Sequence, residues 1–134
     1  MSPVIERKKV KDMFSNIAPT YDLLNHSLSF GLDFYWRKRA VSLLYKNSSY
    51  SPIFLDIATG TGDVVMEIFR QSKFIENKSK IRVFALDFAY PMLGIGKSKV
   101  TKKLFDSNFI QGDALSLPFQ DSSFDGVIIS FGFR

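Results

Sequence analysis

The stretch Phe54-Leu55-Asp56-Ile57-Ala58-Thr59-Gly60-Thr61-Gly62-Asp63 constrains the chain more than any other. It opens as an apolar run over residues 53–57, long enough for a buried parallel strand. It then breaks into two glycines one residue apart, Gly60 and Gly62, and continues as Val64-Val65-Met66-Glu67-Ile68-Phe69, whose apolar residues recur at helical spacing. Strand, glycine turn and helix together form the opening unit of a doubly wound α/β sheet, in which ligands sit at the carboxyl ends of the strands. A residue without Cβ at such a turn lets a ligand approach the backbone.

The same turn excludes two common ligand classes. A dinucleotide fingerprint requires a third glycine where this chain has Val65, and a P-loop requires lysine after its last glycine, which is absent here. Acids stand at both ends, Asp56 and Asp63. They would repel a pyrophosphate but suit a sulfonium, an amino group or a ribose. The turn therefore reads as a site for a cationic, ribose-bearing small molecule, a description that S-adenosylmethionine fits.

Further along, residues 81–86 predict a second strand stopping at Asp87, and Pro91 opens a helix at its first position. Residues 108–111 predict a third strand ending at Gly112-Asp113, and residues 124–130 a fourth. Before the central strand, Val10, Met13, Phe14 and Ile17 follow helical spacing up to Pro19. Residues 21–31 are apolar for a loop and read as a lid. Asp33 is placed to cap a second helix whose inward stripe is Trp36, Ala40, Leu43 and Leu44, with Arg37, Lys38 and Arg39 on the other side. The division is then a helical substrate-lid segment, 1–50, and a ligand-binding domain, 51–134.

The 134 residues suit one domain, and 46% hydrophobic with 23% charged residues is an ordinary globular composition. With no cysteine there is neither a disulfide framework nor a thiolate site. No apolar run reaches the ~18 residues of a membrane span, and no secretory h-region follows Met1. The net charge of +5 falls in clusters such as Arg7-Lys8-Lys9, Arg37-Lys38-Arg39 and Lys102-Lys103. These read first as solvated helix faces and, more sharply, as contacts to an anionic membrane surface. No nucleic-acid module accompanies them.

Asp87 ends the second strand, where an acid can accept both hydroxyls of a ribose, or simply cap the next helix. Asp113 and Ala114 end the third; a carboxylate and the following amide can read an exocyclic amine and a ring nitrogen, or merely form a turn. Ser130 ends the fourth, level with the first turn. His26, the single histidine, makes no metal cluster, and Tyr21 either lines a pocket or packs its ring.

These segments carry a resemblance. Residues 13–25, Trp36-Arg37-Lys38-Arg39-Ala40, the glycine turn, Leu86-Asp87-Phe88, Pro91-Met92-Leu93, Gln111-Gly112-Asp113-Ala114, Leu117-Pro118-Phe119 and Ser130-Phe131-Gly132-Phe133-Arg134 are similar to the ubiquinone/menaquinone biosynthesis C-methyltransferases. The resemblance implies a class I, Rossmann-like fold and S-adenosyl-L-methionine as cofactor. It carries cofactor contacts over to Thr61, Asp87, Asp113, Ala114 and Ser130, beside Gly60 and Gly62 of the turn. The implied reaction is C-methylation of a prenylated quinol, demethylmenaquinol or its ubiquinone-pathway equivalent, by a cytoplasmic enzyme or one peripheral to the inner face of the membrane. Arg134 is placed to stabilise a phenolate or to orient a water that takes the proton; no catalytic base and no metal are assigned. Asp33 stands where the family often has histidine. The family continues past Arg134, so the chain reads as an N-terminal part holding the first four strands: a truncated gene product, a fragment or one half of a split protein, with a homodimer or a separate C-terminal half as its expected partner. Two alternatives stand beside this one: a methyltransferase for another small molecule, and a non-catalytic remnant.

Overall fold

The computed structural model describes residues 32–46, 48, 50–75, 80–101 and 106–129. In chain order these form α1 (Leu32–Lys46), β1 (Ile53–Ile57), α2 (Asp63–Ser72), β2 (Arg82–Asp87), α3 (Tyr90–Thr101), β3 (Ser107–Gln111) and β4 (Gly126–Ile129). The strands make one parallel sheet in the order β3-β2-β1-β4. From β1 the chain steps outward through β2 to β3, then returns to the other side of β1. That reversal puts a topological switch point between β1 and β4, where open parallel sheets bind ligands.

Strand alternation sorts the core into two layers. Phe54 of β1, Val83 and Ala85 of β2, and Ile128 of β4 face the helices, where they pack with Val41 and Tyr45 of α1, Val64, Val65, Ile68 and Phe69 of α2, and Val100 of α3. Leu55, Ile57 and Leu86 face the other way, against Phe84, Phe119 and Phe124. The three phenylalanines meet edge to face, with ring centroids 4.9–5.8 Å apart. At the amino end of the sheet Asp125 exchanges two hydrogen bonds with Ile53: its Oδ2 accepts from the Ile53 amide, and its own amide donates to the Ile53 carbonyl, both at 2.8 Å. This clasp holds β4 in register with β1.

The strands, the glycine turn and α2 match the sequence expectation, with element ends moving by a residue or two. β2 includes Asp87, and α3 starts at Tyr90, so Pro91 is its second residue. The orientation of α1 matches only in part: Ala40 and Leu44 of the expected stripe are half-buried against the core. Asp33, Arg37, Val41 and Tyr45 are its buried residues, whereas Trp36 and Leu43 of the expected stripe are 56% and 61% exposed. Asp33 lies inside the first turn instead of capping it. The helix is turned by what it meets. The Tyr45 hydroxyl donates to the Ile68 carbonyl at 2.6 Å, and its ring stands edge-on to Phe54. Arg37 pairs with Asp33 at 3.3 Å and reaches Asp63 on α2 at 3.7 Å. Thus α1, from the segment expected as a lid, shares the core of the sheet; the helix expected at residues 10–17, the loop 21–31, Tyr21 and His26 lie outside the described residues.

α3 crosses close over the glycine turn because no side chain separates them. A Cβ on Gly96 would lie 2.8 Å from Phe109 Cε1 and 3.0 Å from the Thr61 carbonyl carbon, whereas one on Gly94 would meet nothing within 4 Å. Gly96→Ala is therefore expected to destabilise the chain by about 1–3 kcal/mol through overpacking. Gly94→Ala, in the same helix, should stabilise it by about 0.5–1 kcal/mol. Urea unfolding midpoints of the two variants check both signs.

Candidate cofactor-binding site

At the carboxyl edge of the sheet β1 runs into a turn with three left-handed residues: Ala58 and Gly60, both at φ 58°, and Gly62 at φ 84°. For alanine this conformation costs roughly 1–2 kcal/mol, so the surroundings must hold it. They do so from β2. The Thr59 amide donates to the Leu86 carbonyl at 2.9 Å, and the Gly60 amide to Asp87 Oδ2 at 2.8 Å. The other carboxylate oxygen, Oδ1, accepts from the Ala89 amide at 2.9 Å. The Asp87 carbonyl accepts from the Gly112 amide at 3.0 Å, which ties β3's end to the same edge. There Asp113 Oδ1 accepts from the Leu115 amide at 2.8 Å, closing a turn around exposed Ala114.

Gly60, Thr61, Gly62, Asp87, Asp113 and Ala114 are thus brought to one edge. Ser130 lies outside the described residues; β4 runs parallel to β1, with Ile129 beside Ile57 at that edge. Two charged side chains that the sequence does not assign to the site, Lys99 and Arg37, also converge here on Asp63. Lys99 of α3 donates to Thr61 Oγ1 at 3.3 Å and pairs with Asp63 at 3.2 Å, while Arg37 approaches Asp63 from α1. Nothing local in the sequence marks Lys99 or Arg37, because their common partner is Asp63, far from both along the chain.

Beneath the turn lies Asp56, 1% exposed. Among the described residues, neither of its carboxylate oxygens, nor the buried Thr59 hydroxyl, has a hydrogen-bond partner. Burial pushes the Asp56 carboxyl up from 3.8 to about 7; the Thr59 hydroxyl, outside hydrogen-bond geometry, and the Arg37 guanidinium offset this only in part. Burial raises Asp87 as well, while the amides of Ala89, Gly60 and Phe88 pull it down. Unsatisfied buried polar atoms are costly. Three of them, on Asp56 and Thr59, under a turn of left-handed glycines make a cradle suited to a ligand with a cationic or hydroxyl-bearing group, and S-adenosyl-L-methionine carries both. Among the described residues no group of three or more side chains could hold a metal ion, and no helix is long and apolar enough to cross a membrane.

A parallel 3-2-1-4 sheet with a glycine turn after β1 and an acid ending β2 defines a class I, Rossmann-like methyltransferase fold. Solved structures agree on the fold. The YcgJ protein of Bacillus subtilis superposes with a TM-score of 0.58 at 22% identity, over 72% of this chain and 37% of that one. An S-adenosylmethionine-dependent methyltransferase from Aquifex aeolicus superposes with a TM-score of 0.54 at 20% identity, over 69% and 46%. The chain belongs to the ubiE/COQ5 methyltransferase family, whose family model matches residues 2–134. It is 46% identical over 122 residues to the demethylmenaquinone methyltransferase of Thermus thermophilus, covering 91% of this chain and 52% of that protein. To the ubiquinone/menaquinone biosynthesis C-methyltransferase UbiE of Geobacter sulfurreducens it is 40% identical, covering 95% and 48%. The chain spans about half the length of the curated relatives it matches.

Two expectations follow from the charges. Asp56 and Asp87 both titrate higher folded than unfolded, so the folded chain holds protons that the unfolded chain releases. Stability should fall as pH rises from about 4 through about 7. Asp56→Asn should flatten that fall, its gain in Tm being larger at pH 8 than at pH 4, as thermal unfolding across that range will read. Arg37, 9% exposed, is the counter-charge of buried Asp33. Arg37→Met should cost about 3 kcal/mol by removing one member of a buried ion pair that also reaches Asp63, read from the shift in the denaturation midpoint.

Proposed function

We propose that residues 51–134 hold S-adenosyl-L-methionine for C-methylation of a prenylated quinol, with demethylmenaquinol or its ubiquinone-pathway equivalent as acceptor. The observation that carries the cofactor is the Asp87 carboxylate, fixed against the Gly60 amide at the switch point of a parallel sheet. Its oxygens accept the backbone amides of Gly60 and Ala89, with that of Phe88 beside them, and a carboxylate so placed at the end of β2 suits the hydroxyls of a ribose. Gly60 and Gly62 open the backbone to the ligand, and Thr61 lies between them. Asp113 and the Ala114 amide would read adenine, and Ser130 would close the site from β4. The acceptor is supported by the names of the relatives, among them the demethylmenaquinone methyltransferases of Thermus thermophilus and Thermotoga maritima.

Bound S-adenosyl-L-methionine supplies a methyl group on a sulfonium, already a good leaving group. The chain's own task is then to align and dehydrate the two reactants. Asp56 contributes negative charge beneath the turn once ionised, and Arg134 would stabilise the ring oxygen that ionises beside the reacting carbon. Residues 1–50 would cover the acceptor. Its prenyl tail is apolar, so the enzyme would work where the cytoplasm meets the membrane.

Calorimetric titration with S-adenosylhomocysteine tests the site. Asp87→Ala should weaken binding by at least about tenfold, since hydrogen bonds to charged groups contribute about 1.5–3 kcal/mol each. Gly60→Val should weaken it further, by occupying the path to the backbone and by straining a left-handed residue. Unchanged affinity in either variant would remove the turn from the cofactor site. Transfer of a labelled methyl group to demethylmenaquinol, against other small acceptors, tests the substrate.

A further inference from the structure

A helix that packs one face on a core ordinarily turns charge to the water on the other. α1 does not. Opposite its buried line of Asp33, Arg37, Val41 and Tyr45, helical periodicity sets Leu32, Tyr35, Trp36, Arg39, Leu43 and Lys46 on one outer face. Leu32, Tyr35, Trp36 and Leu43 are each 55–61% exposed. The Tyr35 and Trp36 rings meet edge to face, 5.3 Å apart, as a single aromatic ridge. The helix's one acid, Asp33, is buried and paired with Arg37, so every exposed charge of α1 is positive: Lys38, Arg39 and Lys46.

We propose that this outer face of α1 is a contact surface for an anionic lipid bilayer. Aromatic and aliphatic side chains interleaved with Arg and Lys, and no exposed acid, is the composition of a helix that lies in the headgroup region. Trp and Tyr seat their rings at the acyl boundary and keep a polar edge in water. Arg39 decides between occupants. It stands near the centre of the face, where a covering apolar protein surface would bury its guanidinium without an acid from α1, at high cost. At a bilayer its stem lies along the apolar layer while the charge reaches the phosphates. The charge balance of the chain, +5, has the same sign. The proposal does not depend on the cofactor assignment.

The chain's single tryptophan is Trp36, so its fluorescence reports on this face alone. The experiment mixes the purified chain with vesicles of phosphatidylcholine, with and without phosphatidylglycerol, free of quinol and methyl donor. Expected are a blue shift of Trp36 emission and its quenching by brominated acyl chains, both with the anionic vesicles and both weakening as salt rises. The double variant Arg39→Glu/Lys46→Glu should lose at least about tenfold in vesicle affinity. Phe74→Ala, which removes an exposed ring from the loop after α2, should bind as the parent does. Circular dichroism confirms that the variants fold. Three results would overturn the proposal: sedimentation with vesicles without quenching of Trp36, equal binding to neutral vesicles, or no binding at all. A blue-shifted Trp36 in a chain that elutes as a dimer without lipid would also overturn it, assigning the face to a second copy.

Discussion

The hydrogen bond from the Gly60 amide to Asp87 Oδ2 is the contact on which the candidate site depends. A left-handed residue is needed to aim that amide sideways at β2, and glycine adopts that conformation without penalty. The carboxylate that receives it is 6% exposed and would resist ionising there, but it accepts the Ala89 amide as well. These amides and that of Phe88 offset part of the burial, and the strained Ala58 is carried in the same turn. The loop is therefore shaped by a neighbouring strand before any ligand arrives. Pre-organisation of this kind reduces the ordering cost of binding.

The parallel pairing of the sheet extends this logic along the edge. Thr59 bonds to Leu86, and Gly112 to Asp87, so each turn is attached to the end of the strand beside it. Three loops distant in sequence acquire one geometry, with Asp87 as the common member. α3 closes on the turn through Gly62 and Gly96, whose close approach leaves no room for a Cβ on Gly96. Below the turn, Asp56 and Thr59 retain unmet hydrogen-bonding capacity. The same edge thus combines a fixed frame with polar atoms that no described residue satisfies.

The central elements were legible in the sequence because their signals are local. An apolar run, two glycines one residue apart and a helical repeat specify β1, the turn and α2 without reference to anything distant; Asp87 and Asp113 follow as the polar residues that end the next strands. The orientation of α1 was not legible. Its sequence offers two apolar lines, one through Trp36, Ala40, Leu43 and Leu44 and one through Val41 and Tyr45, and the charged Asp33 and Arg37 weigh against the second. The structure buries that second line because Asp33 neutralises Arg37 one turn away and Asp63 of α2 approaches the same guanidinium. Tyr45 adds a buried bond to a carbonyl of α2. A pattern that counts charges as surface cannot anticipate a pair buried together.

That inversion also gives α1 its two-sided character. Its inner face meets the charges of the glycine turn through Asp63, which Lys99 holds from α3. Its outer face presents the Tyr35–Trp36 ridge among basic residues. A helix with its side chains is about 10–12 Å across, so these two environments are separated by one helix diameter. If the outer face rests on lipid, the glycine turn lies about one helix diameter from the bilayer surface. Burying an ion pair to turn Trp36 outward would be wasteful in a helix that only covered a sheet. In a helix that joins the glycine turn to a lipid surface, the same arrangement serves both faces.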